Sequence, residues 1–305
     1  MLRLFPVANE RKGITMKLTI DITKTVDENA ASYFEKAKKA KKKLQGAKRT
    51  LEEFKKKQEK AKRDVENTEI ESSIKKLDNQ KKKWFDKFKW FISSEGFLVV
   101  AARDATTNEI VIKKHTDNND VVFHTDMAGS PFVVVKQDEE DVKRLLGEDF
   151  VQKRPETPGE QTLVEAASFT AIHSKAWKVG LQATNVFYVS PEQVSKEANA
   201  GEFMGKGSFM IRGKTTYLEP KMIYATGIVQ SEDQEPFFMA GPEDAIKALT
   251  EDYVVIDMGD EKTSNVAKQA RNQLREKTNL DIPVDDIVQS LPSGGCKVRK
   301  ERRRK

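Results

Sequence analysis

Few side chains in this 305-residue sequence are placed for bond-making chemistry. It holds three histidines, His115, His124 and His173, and one cysteine, Cys296. His124 and Asp126 stand two apart, so on a strand they would share a face and could bind a metal ion or orient a base. No third ligand lies at metal-site spacing, and a structural or RNA-contacting pair is the preferred reading. Gly201-Glu-Phe-Met-Gly205-Lys206-Gly207-Ser208 faintly resembles a phosphate loop. It fails the GxxxxGK[ST] spacing and runs into a strand-like segment where a helix is required. Cys296 sits in a polar tail beside Lys297 with no base near it in sequence. These absences predict a protein that is not an enzyme and needs neither metal nor cofactor.

The remaining candidates suit recognition. Arg103 and Asp104 close an apolar run and Asn108 opens the next. Groups at such a turn can bond phosphate, ribose or base edges, or can simply hold the turn through Asp104 and Asn108 side chains. Ser208-Phe-Met-Ile-Arg212-Gly213-Lys214 places two cations and a glycine at another strand end. That arrangement fits close approach of a phosphate and fits an ordinary turn equally well.

The elements that must position these groups are legible in the patterning. Residues 16–22 alternate as a short strand. Asp27 or Asn29 is placed to cap a helix. From Tyr33 a 4-3 spacing runs through Ala37, Ala40, Leu44, Ala47, Leu51, Phe54, Gln58, Ala61 and Val65. The spacing jumps by five to Ile70 and resumes through Ile74, Leu77, Lys81, Trp84 and Phe88. This break predicts an antiparallel coiled-coil hairpin, with a stutter in one continuous coil as the alternative.

After Trp90, short β-branched runs at 97–100, 109–112, 121–123 and 132–135 predict strands. Helices are expected over 160–178 and around 191–198, and strands over 185–189, 208–211 and 222–229. A strand–helix–strand–helix series then covers 237–240, 242–249, 253–256 and 265–276. The expected class is α/β of the α+β kind: a basic arm followed by a mainly antiparallel sheet with inserted helices. The expected divisions are a lead-in (1–26), the arm (27–89), a sheet domain (90–220), an extension or small subdomain (221–292) and a basic tail (293–305).

Lysine and arginine total 54 against 48 acidic residues, a net charge of +6. The cations concentrate between Lys36 and Lys89 and in Lys297–Lys305, which points to a polyanionic partner or to a solvated helix surface. No run approaches the ~20 apolar residues of a membrane helix, and Met1 to Asn9 is a poor secretory signal. A cytoplasmic protein without a membrane partner is expected.

The chain also resembles a known family. Lys87-Phe-Lys-Trp-Phe-Ile-Ser-Ser-Glu-Gly-Phe-Leu-Val-Val followed by Arg103-Asp-Ala-Thr-Thr-Asn108-Glu is similar to the opening of the NFACT-R domain. His124-Thr-Asp-Met-Ala-Gly129-Ser-Pro-Phe, Gln193-Val-Ser-Lys196, Gly201-Glu202 and Gly207-Ser-Phe-Met-Ile-Arg-Gly213-Lys continue the match in order. The resemblance spans roughly residues 26–220, and Leu291-Pro-Ser-Gly-Gly295 is similar to the ends of archaeal members.

Relatives of the NEMF/Caliban/RqcH group act in ribosome-associated quality control. The resemblance therefore implies tRNA and the RNA and proteins of the large ribosomal subunit as partners. It implies RNA contacts by the arm through Lys38, Lys39, Lys41, Lys42, Lys43, Lys48 and Arg49. In the sheet domain it implies contacts by Arg103, Asp104, Asn108, Lys113, His124 and Asp126, and further on by Gln193, Lys196, Lys206, Arg212 and Lys214.

The family's N-terminal and helix-hairpin-helix modules have no counterpart ahead of Asp27, and Ala101-Ala102 replaces the usual glycine pair. The expectation is a split, truncated or stand-alone version, begun at Met1 or Met16, that binds ribosomes but does not extend stalled chains alone. A separate polypeptide supplying the N-terminal domain would then dock near Tyr33 and Phe34. The alternative is a coiled-coil adaptor without RNA specificity.

Overall fold

The computed structural model describes residues 2–9, 14–78, 83–197, 204–231 and 234–299. Two compact units are present, Met1–Glu69 and Ile70–Lys305. In the first, strands β1 (Leu2–Asn9) and β2 (Ile14–Asp21) pair antiparallel, with Leu2 opposite Asp21. Helix α1 spans Val26–Asp78, with Thr25 just ahead of it. The Thr25 hydroxyl accepts the Glu28 N–H at 3.3 Å, and the Glu28 carboxylate accepts the Thr25 N–H at 2.8 Å. Thr25-x-x-Glu28 is thus a capping box, and neither Asp27 nor Asn29 is the cap.

Asn29 ties the helix to β2 instead: its side chain accepts the Asp21 N–H and donates to the Asp21 carbonyl, both at 2.9 Å. One turn later the Tyr33 hydroxyl donates to the Thr19 carbonyl at 2.7 Å. The expected hairpin turn is corrected, because α1 passes through Glu66–Glu69 unbroken. That stretch contains neither glycine nor proline, so the phase jump is taken up as a stutter within one helix. The apolar seam lies exposed at Leu44, Leu51 and Phe54, as does Phe34 beside it.

The second unit opens with a 3-10 turn (Trp84–Lys87), β3 (Lys89–Ile92), β4 (Leu98–Ala101) and helix α2 (Ala105–Lys114). It continues through β5 (Val121–Thr125), β6 (Val133–Val135), α3 (Glu140–Leu146) and α4 (Glu148–Val151). Then come α5 (Glu160–His173), α6 (Lys175–Lys178), β7 (Val186–Val189), β8 (Val194–Ser195), β9 (Met210–Ile211) and β10 (Thr216–Leu218). β11 (Tyr224–Val229), β12 (Phe237–Pro242), α7 (Glu243–Leu249) and β13 (Tyr253–Glu261) follow. The unit ends with α8 (Thr263–Thr278), α9 (Val284–Ser290) and β14 (Cys296–Val298).

One antiparallel sheet has the order β10-β7-β5-β6-β4-β3, and another has the order β12-β11-β13-β14. The mixed, mainly antiparallel α+β class is as expected. The apolar core is continuous between the sheets: the Phe91 and Phe169 rings lie 4.7 Å apart, and Trp90 stacks on Phe237 at 6.0 Å. Residues 221–292 therefore share the core of the family-like segment. Helix α5 is buried along most of its length.

Two expectations are corrected here. Residues 109–112 lie in α2, because Asp104 caps that helix by accepting the Thr107 N–H at 2.8 Å. The cap outweighs the β-branched run, of which only Val111 is fully buried. The helix expected around 191–198 is a 3-10 turn (Pro191–Gln193) passing into β8.

Candidate nucleic-acid interface

Asp104 is spent on capping α2, and Arg103 beside it is tied inward. The Arg103 guanidinium donates to the Phe88 carbonyl at 2.8 Å, the Asp86 carbonyl at 3.2 Å and the Gln289 side chain at 2.9 Å. Asn108, expected to open a strand, projects from α2. Its oxygen accepts the Phe132 N–H at 2.9 Å and its amide lies 3.4 Å from the Gly207 carbonyl. Asn108 thus ties helix, sheet and the following loop together.

The segment 204–214 is held the same way. Gln193 donates to the carbonyls of Arg212 and Lys214 at 2.8 and 2.9 Å. Lys196 donates to Glu109 at 2.9 Å and to the carbonyls of Gly205 and Ser208 at 3.1 and 2.9 Å. Glu109 also accepts from Lys113 at 3.3 Å and from the Gly207 N–H at 3.1 Å. These bonds, Lys196 foremost, hold the Glu109 carboxyl down at about 2. Gly207 has φ +78°, and a Cβ there would stand 2.6 Å from the Ala105 Cα. Only glycine lets this loop lie against the first residue of α2.

A cavity of about 710 Å³ opens between α2, the loop after β5, the α5–α6 junction and the 204–214 segment. Arg103, Asp104, Asn108, His124 and Lys206 of the sequence-derived candidates line it. Lys113, Gln193, Lys196, Arg212 and Lys214 do not; Arg212 donates to the Glu197 carbonyl at 3.2 Å. Asp126 accepts from the Tyr217 hydroxyl at 3.1 Å. The two His124 ring nitrogens face the carbonyls of Thr125 and Ser130 at 2.7 and 3.2 Å. Burial lowers the His124 pKa, and the neutral ring carries one N–H and so donates to only one of these carbonyls, while it packs 4.4 Å from the Phe132 ring. Among the described residues no group of three metal-ligating side chains occurs.

Four further groups line the cavity without having been singled out in the sequence: Lys89, His173, Lys175 and Lys178. The two lysines of α6 are exposed, as is Lys206. Lys89 is enclosed. Its ammonium donates to the Leu291 carbonyl at 2.5 Å and lies 3.1 Å from His173 Nδ1. Burial, with the nearby Arg103 charge, pushes the Lys89 pKa down to about 7. His173 is lowered well below the usual imidazole range by burial and then by Lys89 and Arg103. A neutral His173 therefore accepts from Lys89 at Nδ1 and carries its proton on Nε2, which is buried without a partner. Only the Lys175-x-x-Lys178 spacing hinted at a second cationic wall.

Lys38, Lys39, Lys41, Lys42, Lys43, Lys48 and Arg49 are all exposed on α1. The tail from Lys300 and the Gly201-Glu202 pair lie outside the described residues. Of the remaining tail, Arg299 forms a two-pronged pair with Asp257 at 2.6 and 2.9 Å.

Residues 87–213 match the NFACT protein RNA binding domain, so the cavity's cationic walls lie inside that domain. The chain thus contains a segment matching the NFACT-R domain and is similar to proteins of the RqcH/NEMF kind. It is 35% identical over 229 residues to the archaeal Rqc2 homolog aRqcH of Methanocaldococcus jannaschii, covering 75% of this chain and 31% of that protein. The ribosome quality control complex subunit NEMF homolog of Drosophila melanogaster is 33% identical over 65% of this chain and 18% of its own length. The ribosome quality control complex subunit 2 of Schizosaccharomyces pombe is 35% identical over 50% of this chain and 14% of its own length. The chain thus spans less than a third of each of these relatives. Among the described residues no helix is long and apolar enough to cross a membrane.

Proposed function

We propose that this protein binds RNA, either tRNA or large-subunit rRNA, as a non-catalytic factor in ribosome-associated quality control. The observation that carries the reading is the cavity inside the NFACT-R domain, flanked by exposed Lys175, Lys178 and Lys206. Three cations around one concavity attract and orient a phosphate backbone. The exposed lysines of α1 add long-range, sequence-independent attraction. RNA binding requires no metal or cofactor.

Salt dependence tests it. If about six phosphates are neutralised, affinity for tRNA should fall about a thousandfold between ~50 and ~200 mM salt. Replacing Lys38, Lys39, Lys41, Lys42 and Lys43 by glutamine should flatten that slope. Affinity indifferent to both salt and these lysines would sink the reading. A second reading, a coiled-coil adaptor, is favoured by the exposed seam residues Leu44, Leu51 and Phe54. It predicts a stable helical protein complex that survives high salt.

A further inference from the structure

We propose that the cavity takes in one unstacked nucleotide of a bound RNA. The base lies inside against Phe209, and the phosphate stays outside among Lys175, Lys178 and Lys206. This rests on the RNA-binding reading and gives it a specific contact.

Three observations support it. The first is size: about 710 Å³ falls within the ~300–1,000 Å³ of pockets that enclose small ligands. A surface that merely followed a phosphate backbone would need a groove and no pit.

The second is the division of chemistry by depth. The exposed lining carries Lys175, Lys178 and Lys206 together with Asp104 and Val179, whereas buried or half-buried positions carry Ala102, Phe132, Phe209 and Ile211 beside Asn108 and His124. Lysines thus stand at the rim and two aromatic rings among the less exposed positions, the order in which a nucleotide presents phosphate and base. Phe132 and Phe209 meet edge to face with centroids 5.4 Å apart, and the Lys196 ammonium lies 4.9 Å from the Phe209 centroid. Phe209 is thereby steadied in a segment already clamped by Gln193 and Lys196. Bases stack on such rings with little regard to sequence.

The third is the pair of polar groups within. The Lys89 ammonium and His173 are engaged with each other, and His173 Nε2 has no partner. An apolar pit built only for packing would not enclose a lysine. A base carries ring nitrogens and carbonyl oxygens that Lys89 can serve.

The test compares a single-stranded RNA 12-mer of mixed sequence with a 12-mer of the same charge in which every ribose is abasic. Affinities of the full chain for both are measured at fixed low salt. The wild type should bind the base-bearing strand about tenfold more tightly. Phe209→Ala should remove most of that preference. Ala128→Trp, at an exposed lining position where the larger ring would fill the mouth, should do the same, with folding checked by circular dichroism and melting. Firm but equal binding of both strands by the wild type would overturn the pocket and leave RNA binding standing. A preference that survives both variants would also overturn it, since the base would then be read elsewhere. Failure to bind either strand would remove the RNA-binding reading and this inference with it.

Discussion

Enclosing the Lys89 ammonium works against folding, and the sign of its effect follows from its pKa. The group titrates at about 7 in the folded chain against an ordinary 10.5. Between those values the unfolded chain holds a proton that the folded chain lacks, so stability rises with pH through the window. Below it both states are charged and the cost of burial is fully present. Lys89→Met should therefore look most favourable, relative to wild type, near pH 6. Its relative advantage should shrink by up to about 1.4 kcal/mol per pH unit above 7. Urea unfolding of both proteins at several pH values measures this, and a pH-independent difference would mean that Lys89 keeps a solvated charge. At the same scale, Arg103, Asp104, Asn108, His124 and Lys206 of the residues picked from sequence line the cavity, whereas Lys113, Asp126, Gln193, Lys196, Arg212 and Lys214 do not. Arg103, Gln193 and Lys196 bond to backbone carbonyls and shape the cavity walls. A sequence shows that a cation stands at a loop; it does not show which carbonyls that loop leaves unsatisfied.

Helix α2 shows how an element can be misread. Glu109-Ile-Val-Ile has the composition of a strand, yet the Asp104 cap and its Thr107 partner start a helix four residues earlier. Asp104→Ala should cost about 1 kcal/mol by chemical denaturation; no loss would show that the cap is redundant with packing. The loop 204–214 owes its position to side chains distant in sequence, which periodicity cannot reveal. Gln193→Ala removes the donors to the Arg212 and Lys214 carbonyls. It should raise amide exchange across 210–214 well before it lowers global stability. Exchange unchanged in that stretch would mean that the backbone pairing of β8 with β9 and the Arg212 N–H bond to the Gln193 carbonyl secure it without the side chain. The strands of the sheet were legible as short β-branched runs between turn residues, and the long basic helix because its period of 3.5 repeats over many residues. The hairpin turn at Glu66–Glu69 was not, because a phase shift alone does not stop a helix.

For the whole molecule, the continuous core from Phe91 to Phe237 makes the NFACT-R segment and residues 221–292 one folding entity. Residues late in the second unit reach the cavity through this packing: the Leu291 carbonyl accepts from Lys89, and Ser293 lines the wall. The central claim is that RNA is engaged at this cavity and not by the lysines of α1 alone. Ultraviolet crosslinking of the chain to tRNA or to large ribosomal subunits at low salt, with the crosslinked peptides mapped by mass spectrometry, tests it most directly. Crosslinks in the 174–179 and 204–214 segments are predicted, alongside weaker, salt-sensitive ones in α1. Crosslinks confined to α1, with both cavity segments unmarked, would contradict the claim.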